Sequence, residues 1–205
     1  MRSIMFRPDM IKAIREGRKT VTRRLDGLKE INKEPDNWSL VAWQGRHTTD
    51  FAKGSVLFES AECQKVIKPR YRVGEIVYIK EAWSTENQYN HLKPRDIPRT
   101  AKIFYLLDGY DPFTMGKVRS PMFMMEWMAR DYQKFTGVRA ERLQEITEED
   151  AVAEGMTGRL YWEATGSFLT CARDVFQWYW DSINLQQKWD TNPFVWRYSF
   201  VEVKK

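Results

Sequence analysis

The chain has 205 residues, and 33 Lys and Arg against 28 Asp and Glu give it a net charge of +5 at pH 7. A chain of this length buries about 70% of the surface exposed by its unfolded form, so it needs neither disulfides nor a structural metal. It has only two Cys and two His, without the paired spacing of a zinc site, and we expect no metal and no cofactor. No signal peptide and no apolar run approaching about 18 residues is present, which predicts a cytoplasmic protein without membrane contact.

The first half of the chain predicts several strands and one short helix. Between Pro8 and Gly17 apolar residues recur at helical spacing, with Pro at the start and Gly at the end, as is usual for a helix. The segment YRVGEIVYIKEAW, at 71–83, is the clearest strand signal, and its apolar residues occupy both faces, so we expect a central strand. β-branched and aromatic residues predict the other strands of this half, at 3–6, 20–24, 40–43 and 55–58.

The second half predicts a long loop followed by a mixture of strands and helices. Thr147 with Asp150 three residues later is typical of a helix N-terminus, and Gly155 would end that helix. The longest helical pattern covers 167–183, and alternating aromatic residues predict a closing strand at 194–203. Because strands outnumber helices and do not alternate regularly with them, we predict an α+β fold built on a small, largely antiparallel β-barrel.

A basic segment at 16–24, between the first helix and the second strand, gathers the side chains best suited to chemistry. In an extended strand Thr22 and Arg24 would share one face. A threonine hydroxyl needs a base beside it to act as a nucleophile, and a desolvated lysine such as Lys19, near other cations, can have its pKa lowered enough to serve. From these residues alone, a solvated basic face and an anion-binding patch without catalysis both stay open.

The residues GRKTVTRR at 17–24 resemble the G-x-K-x-x-x-x-R signature of ASCH domains, a family of PUA-like β-barrels associated with RNA and modified nucleosides. YRVGEIVYIKEAW resembles the central barrel strand of that family, VRAERLQEITEEDAVAEGM its strand and helix, and NPFVWRYSFVEV its closing strand. The chain is similar to the longer members found in phages and prophages. The resemblance implies a single domain over 1–205, with peripheral helices and insertions at about 26–54, 84–130 and 157–192.

Small members of this family are amidohydrolases that deacetylate N4-acetylcytidine with a Lys, a Thr and a Glu. The matching residues here are Lys19, Thr22 and Glu154. The resemblance implies that Lys19 takes the proton from Thr22, that the Thr22 oxygen attacks an amide carbonyl, and that Glu154 protonates the departing amine.

Three further residues are expected to contact the substrate, which would be a nucleoside or an RNA. Arg23 and Arg24 would bind its anionic groups, and Trp83 would stack on a base. Leu25 stands where the small members carry an acidic residue, and the additional segments leave room for a different pocket. Two alternatives therefore stay open, a non-catalytic module that binds RNA or a modified nucleotide, and a metal-independent ribonuclease. The oligomeric state is not predicted.

Overall fold

The computed structural model describes residues 1–41 and 55–204, and the fold of this part of the chain is α+β, as predicted. The described helices are α1 (Pro8–Arg15), α2 (Glu148–Ala153), α3 (Gly158–Thr165) and α4 (Ala172–Ile183). The described strands are β1 (Arg2–Met5), β2 (Val21–Arg24), β3 (Ser39–Leu40), β4 (Val56–Glu59), β5 (Gln64–Ile67), β6 (Ile76–Lys80), β7 (Trp83–Ser84), β8 (Phe104–Tyr105), β9 (Tyr132–Arg142) and β10 (Phe194–Glu202). Of the strand predicted at 40–43, only its first residue falls in β3, and its end lies outside the described residues.

The chain divides into two compact units. The first consists of Met1–Lys12, Ile76–Lys134 and Glu202–Lys205, and the second of Ala13–Glu75 and Phe135–Val201. The single domain with three insertions stays a prediction.

In the first unit, β6 lies between β1 and the first residues of β9. It pairs in parallel with β1, where Ile4 lies opposite Ile79, and antiparallel with β9, where Tyr78 lies opposite Tyr132. The central position predicted for this strand is therefore confirmed, and the sheet is mixed, not purely antiparallel. β7 and β8 form a separate two-stranded antiparallel sheet.

In the second unit, β10 lies between the rest of β9 and β2, and β3, β4 and β5 form another antiparallel sheet. The antiparallel pairing of β10 with β2 places Tyr198 opposite Thr22 and Arg197 opposite Arg23. Residues directly opposite each other project from the same face of a sheet. The sequence motif of β2 therefore has a defined neighbour on each face.

The long helical pattern predicted over 167–183 is helical only from Ala172 onward, so its start was predicted too early. The Glu148 carboxylate accepts hydrogen bonds from the backbone N–H groups of Ala172 and Arg173, and this cap sets the first turn of α4. Phe168, which lies within the predicted helical segment, precedes the helix and is 80% exposed. The shorter helix α3 was not predicted.

The predicted start and end of α2 are both confirmed. The Thr147 hydroxyl accepts a hydrogen bond from the Asp150 N–H at 3.1 Å, and Gly155 follows the helix with a φ of +89°. Such a backbone angle is readily adopted only by glycine. The cap fixes where α2 begins, and the glycine turns the chain immediately after Glu154.

Thr147→Ala is expected to lower the free energy of unfolding by about 1 kcal/mol, because it leaves a helix N–H without its acceptor. Thr147→Ser keeps the hydroxyl and should restore most of the loss. Urea denaturation followed by circular dichroism measures both. A Thr147→Ala protein as stable as the wild type would contradict the cap.

Candidate functional site

The candidate site lies in the second unit, where the chain entering β2 meets the end of α2. Lys19 and Glu154 form an isolated antiparallel bridge, and the Thr20 N–H donates to the Ala153 carbonyl at 2.8 Å. A Cβ atom added to Gly155 would lie 3.3 Å from the Lys19 Cβ, which is a tight contact. Glycine at this position thus allows the two segments to approach closely, and it places the Lys19 and Glu154 side chains together.

Lys19 and Glu154 form a buried ion pair, and each residue is only 3% exposed. The Lys19 Nζ donates to a Glu154 carboxylate oxygen at 2.5 Å, and to the backbone carbonyls of Val21 and Glu154, both at 2.8 Å. Three acceptors match the three N–H groups of an ammonium. The pair is therefore held in one geometry by both its side chains and its backbone.

The pKa of Lys19 is lowered from its ordinary value of 10.5, chiefly because burial penalises the charged form. The Glu154 carboxylate opposes this effect by stabilising the ammonium, while the charges of Arg24 and Arg23 add to it. A lower pKa favours the neutral amine, which is the form that accepts a proton. The surroundings of Lys19 thus move it toward the role of a base.

Arg23 joins this pair to two further carboxylates. Its guanidinium donates to Glu141 at 2.8 Å, to Asp150 at 2.6 Å and to the second oxygen of Glu154 at 3.3 Å. Its side chain is 0% exposed. Enclosed in this way, Arg23 has no access to a phosphate in solution, so the structure does not support the substrate contact predicted for it.

Two arginines on the outer side of this cluster complete the network. Arg197, opposite Arg23 in the sheet, donates to both oxygens of Asp150 at 3.0 and 2.7 Å. Arg139 donates to Glu141 at 2.6 Å, but its side chain is 59% exposed. The carboxylates are therefore shared by several cations, and of these three arginines Arg23 is the buried one.

Thr22 and Arg24 lie on the other face of β2, since neighbouring residues of a strand alternate between faces. Among the described residues, the Thr22 hydroxyl makes no hydrogen bond to Lys19 or Glu154. Arg24 is half-buried. Its positive charge contributes to the lowered pKa of Lys19. The pKa of Tyr71 is raised by desolvation, and the charge of Arg24 partly opposes that rise. The structure thus brings together two of the three residues predicted to be catalytic.

Trp83 belongs to the first unit and is 0% exposed. It packs in an apolar cluster with Ile97, Ala101, Met124 and Met128. A ring enclosed in this way presents no face to a base from solvent, and we leave Trp83 out of the candidate site.

Sequence reasoning missed the acidic part of the network. Asp150 was noticed only as part of a helix start, and Glu141 and Arg197 were not singled out. The spacing of Asp150 and Glu154, four residues apart, places both on one face of a helix. That spacing is a signal that could have identified Asp150 as a second acidic group beside Glu154.

None of the described helices is long and apolar enough to cross a membrane. Within 1–41 and 55–204, no group of three or more His, Cys, Asp or Glu side chains is arranged to hold a metal ion. No protein family, no curated protein and no solved structure matches this chain.

Proposed function

We propose that this protein is an ASCH-type, PUA-like protein directed at nucleosides or RNA, and that it deacylates N4-acetylcytidine-like pyrimidines. The observation that supports this proposal is the contact of Lys19 with Glu154 at 2.5 Å, across 135 positions of sequence. These are two of the three residues that the motif resemblance identifies. They meet in a buried environment that lowers the pKa of the lysine.

The Lys19–Glu154 pair can supply both proton transfers of an amide cleavage. Passing one proton from Lys19 to Glu154 gives a neutral amine and a carboxylic acid. The Lys19 amine then takes the proton of the Thr22 hydroxyl while the Thr22 oxygen bonds to the acyl carbon. Glu154 gives its proton to the departing cytosine amine. The C–N bond breaks, an acyl-threonine forms, and the pair returns to ammonium and carboxylate. Water then releases the acyl group by the reverse sequence.

Arg23 and Arg24 have separate roles in this proposal. Arg23 holds one oxygen of the Glu154 carboxylate while Lys19 holds the other, so that the carboxylate keeps one orientation. Arg24, on the Thr22 face of β2, would stabilise the developing oxyanion or bind a phosphate of the substrate.

The test is a deacylation assay with N4-acetylcytidine and related N4-acylated cytidines, in which cytidine is separated by liquid chromatography. Lys19→Met and Thr22→Val are expected to reduce the rate at least about a hundredfold, because each removes a group that takes part in proton transfer or attack. Thr20→Val is the matched control, because Thr20 is an exposed threonine of the same segment. No product from any acylated nucleoside, with the wild type indistinguishable from both variants, would exclude the hydrolase.

The rate should also depend on pH through the single proton that the Lys19–Glu154 pair holds. The pKa of Lys19 is lowered from 10.5, so the pair loses this proton at a lower pH than an exposed lysine would. Glu154 then has no proton to give to the departing amine, and the rate of deacylation is expected to fall as the pH rises, with a midpoint below pH 10.5. A rate that stays constant up to pH 10.5 would contradict proton transfer through this pair.

A non-catalytic module that binds RNA or a modified nucleotide is the second candidate. The observation that favours it is the position of Thr22, which lies on the face of β2 opposite to Arg23 and makes no hydrogen bond to Lys19 or Glu154 in the described structure. This candidate predicts RNA binding that weakens with salt by about 0.7 in log K per log salt for each phosphate contacted. Arg24→Ala should weaken this RNA binding. In a separate experiment, RNA that stays intact after long incubation with the protein would exclude the ribonuclease alternative.

A further inference from the structure

A groove runs along one face of α4, in the second unit of the chain. Its volume of about 500 Å³ lies within the range of about 300–1,000 Å³ that is usual for small-molecule sites. The opposite face of the helix is buried and includes Val175 and Tyr179. The groove is lined by Leu169, from the segment before α4, and by the helix residues Asp174, Gln177, Trp178, Asp181 and Ser182.

The two charged residues of the groove stand in line along the helix. Asp174 and Asp181 are nearly two turns apart, so their side chains leave the helix in almost the same direction, separated by about 10.5 Å along its axis. One oxygen of Asp181 accepts a hydrogen bond from the Trp189 N–H at 2.7 Å, which fixes the position of this carboxylate. The second oxygen stays available to a ligand.

The protein supplies no counter-charge to this groove within 1–41 and 55–204. Among the described lining residues there is no Lys or Arg. Arg173, the neighbour of Asp174 in sequence, is directed elsewhere, because its guanidinium donates to the carbonyls of Ile146 at 3.2 Å and Gln144 at 3.1 Å. The chain as a whole carries a net charge of +5, so this pair of carboxylates is a local exception to its charge.

Trp178 lies between the two carboxylates along the helix, one turn after Asp174. Its ring is half-buried and packs edge-on against Tyr161 of α3, with ring centroids 5.1 Å apart. An aromatic ring offers a surface for aliphatic carbons, and its face also attracts cations. A ligand lying along the groove therefore meets two negative charges with an aromatic side chain between them.

We propose that this groove binds a linear aliphatic polyamine, whose ammonium groups pair with Asp174 and Asp181 and whose carbon chain lies against Trp178. Bonds of about 1.5 Å at tetrahedral angles advance roughly 1.25 Å each, so the roughly nine bonds between the terminal nitrogens of spermidine span about 11 Å. This length matches the separation of the two carboxylates. The site is independent of the proposed deacylation, because its residues belong to neither the Lys19–Glu154 pair nor its network.

The test is isothermal titration calorimetry of the full chain, freed of nucleic acid, with spermidine, putrescine and a diaminooctane that has an amine at each end. The diaminooctane has the length of spermidine but only two charges, as putrescine has. Putrescine spans only about 6 Å and cannot reach both carboxylates. We expect saturable binding of one spermidine per chain, and putrescine should bind about fivefold more weakly than the diaminooctane, because one ion pair is lost.

The double variant Asp174→Asn/Asp181→Asn removes both charges, and asparagine keeps a side-chain oxygen as the acceptor for the Trp189 N–H. The Kd for spermidine should increase about tenfold, since two ion pairs are lost. Glu149→Gln/Asp190→Asn is the matched control, because it removes the same charge from two exposed residues of the same unit that do not line the groove. It should keep the wild-type affinity.

Trp178→Leu tests the aromatic ring by replacing it with an aliphatic side chain. The Kd for spermidine should increase about two- to fivefold, the value of a cation–π contact at an exposed site. No saturable binding to the wild type, an unchanged Kd in Asp174→Asn/Asp181→Asn, an equal loss in the control, or equal binding of putrescine and the diaminooctane overturns the proposal. A peptide with two lysines seven residues apart that binds more tightly than spermidine would assign the groove to a protein partner, and this result also overturns it.

Discussion

Replacing Arg23 with Met is expected to lower the free energy of unfolding by about 3–5 kcal/mol at pH 7, which is the usual loss when one partner of a buried ion network is removed. Methionine has a similar length but no charge. It would leave Glu141, Asp150 and Glu154 without the buried cation that all three contact. Urea denaturation of the wild type and the variant measures the loss.

Arg139→Met is the matched control for this prediction. Arg139 contacts two of the same carboxylates, Glu141 at 2.6 Å and Asp150 at 3.5 Å, but its side chain is 59% exposed. Exposed ion pairs contribute about 0–1 kcal/mol, so this variant should lose no more than that. Equal losses in the two variants would mean that burial of the cation does not decide its contribution.

The loss caused by Arg23→Met should also become smaller at acid pH. Desolvation raises the pKa of Asp150, but hydrogen bonds from Arg197 and Arg23 outweigh it and hold the pKa below the ordinary 3.8. A carboxyl with a lowered pKa stabilises the fold above its unfolded value, and this stability is lost as the pH falls through the folded value. The difference between wild type and variant should therefore shrink below pH 3.8. A constant difference would assign the loss to packing alone.

Gly155→Ala is expected to lower the free energy of unfolding by about 2–5 kcal/mol, from two sources that act together. The first is the backbone, whose φ of +89° is unfavourable for any residue with a Cβ. The second is space, because the new Cβ would lie 3.1 Å from the Ala13 Cβ and 3.3 Å from the Lys19 Cβ. The variant should also slow the deacylation proposed above, since relief of this contact moves Lys19 away from Glu154.

Gly166→Ala separates the two sources. Gly166 has a φ of +71° at the end of α3, and a Cβ added there meets no atom within 4 Å. It should therefore lose only the backbone part, about 1–2 kcal/mol. If the two alanine variants were equally destabilised, the close approach of Gly155 to Lys19 would carry no energetic weight.

Local features of this protein follow from short-range sequence patterns. The helix between Pro8 and Gly17, the cap at Thr147 and the turn at Gly155 are confirmed, because each depends on residues within one or two turns of chain. The start of α4 was predicted five residues too early, at 167 and not at Ala172. The reason is that its cap comes from Glu148, a residue far away in sequence.

The candidate site shows the same division. The resemblance of two separate segments, at 17–24 and at 147–156, named Lys19 and Glu154 as catalytic residues, a role that stays a prediction. The alternation of a strand places Arg23 and Thr22 on opposite faces. Only the tertiary structure decided that Arg23 is enclosed by carboxylates from β9 and α2, so that it binds protein and not a phosphate. It likewise decided that Trp83 is buried within the first unit. The physical reason is that spacing sets the direction of a side chain, whereas its burial and counter-charge depend on which distant segments pack against it.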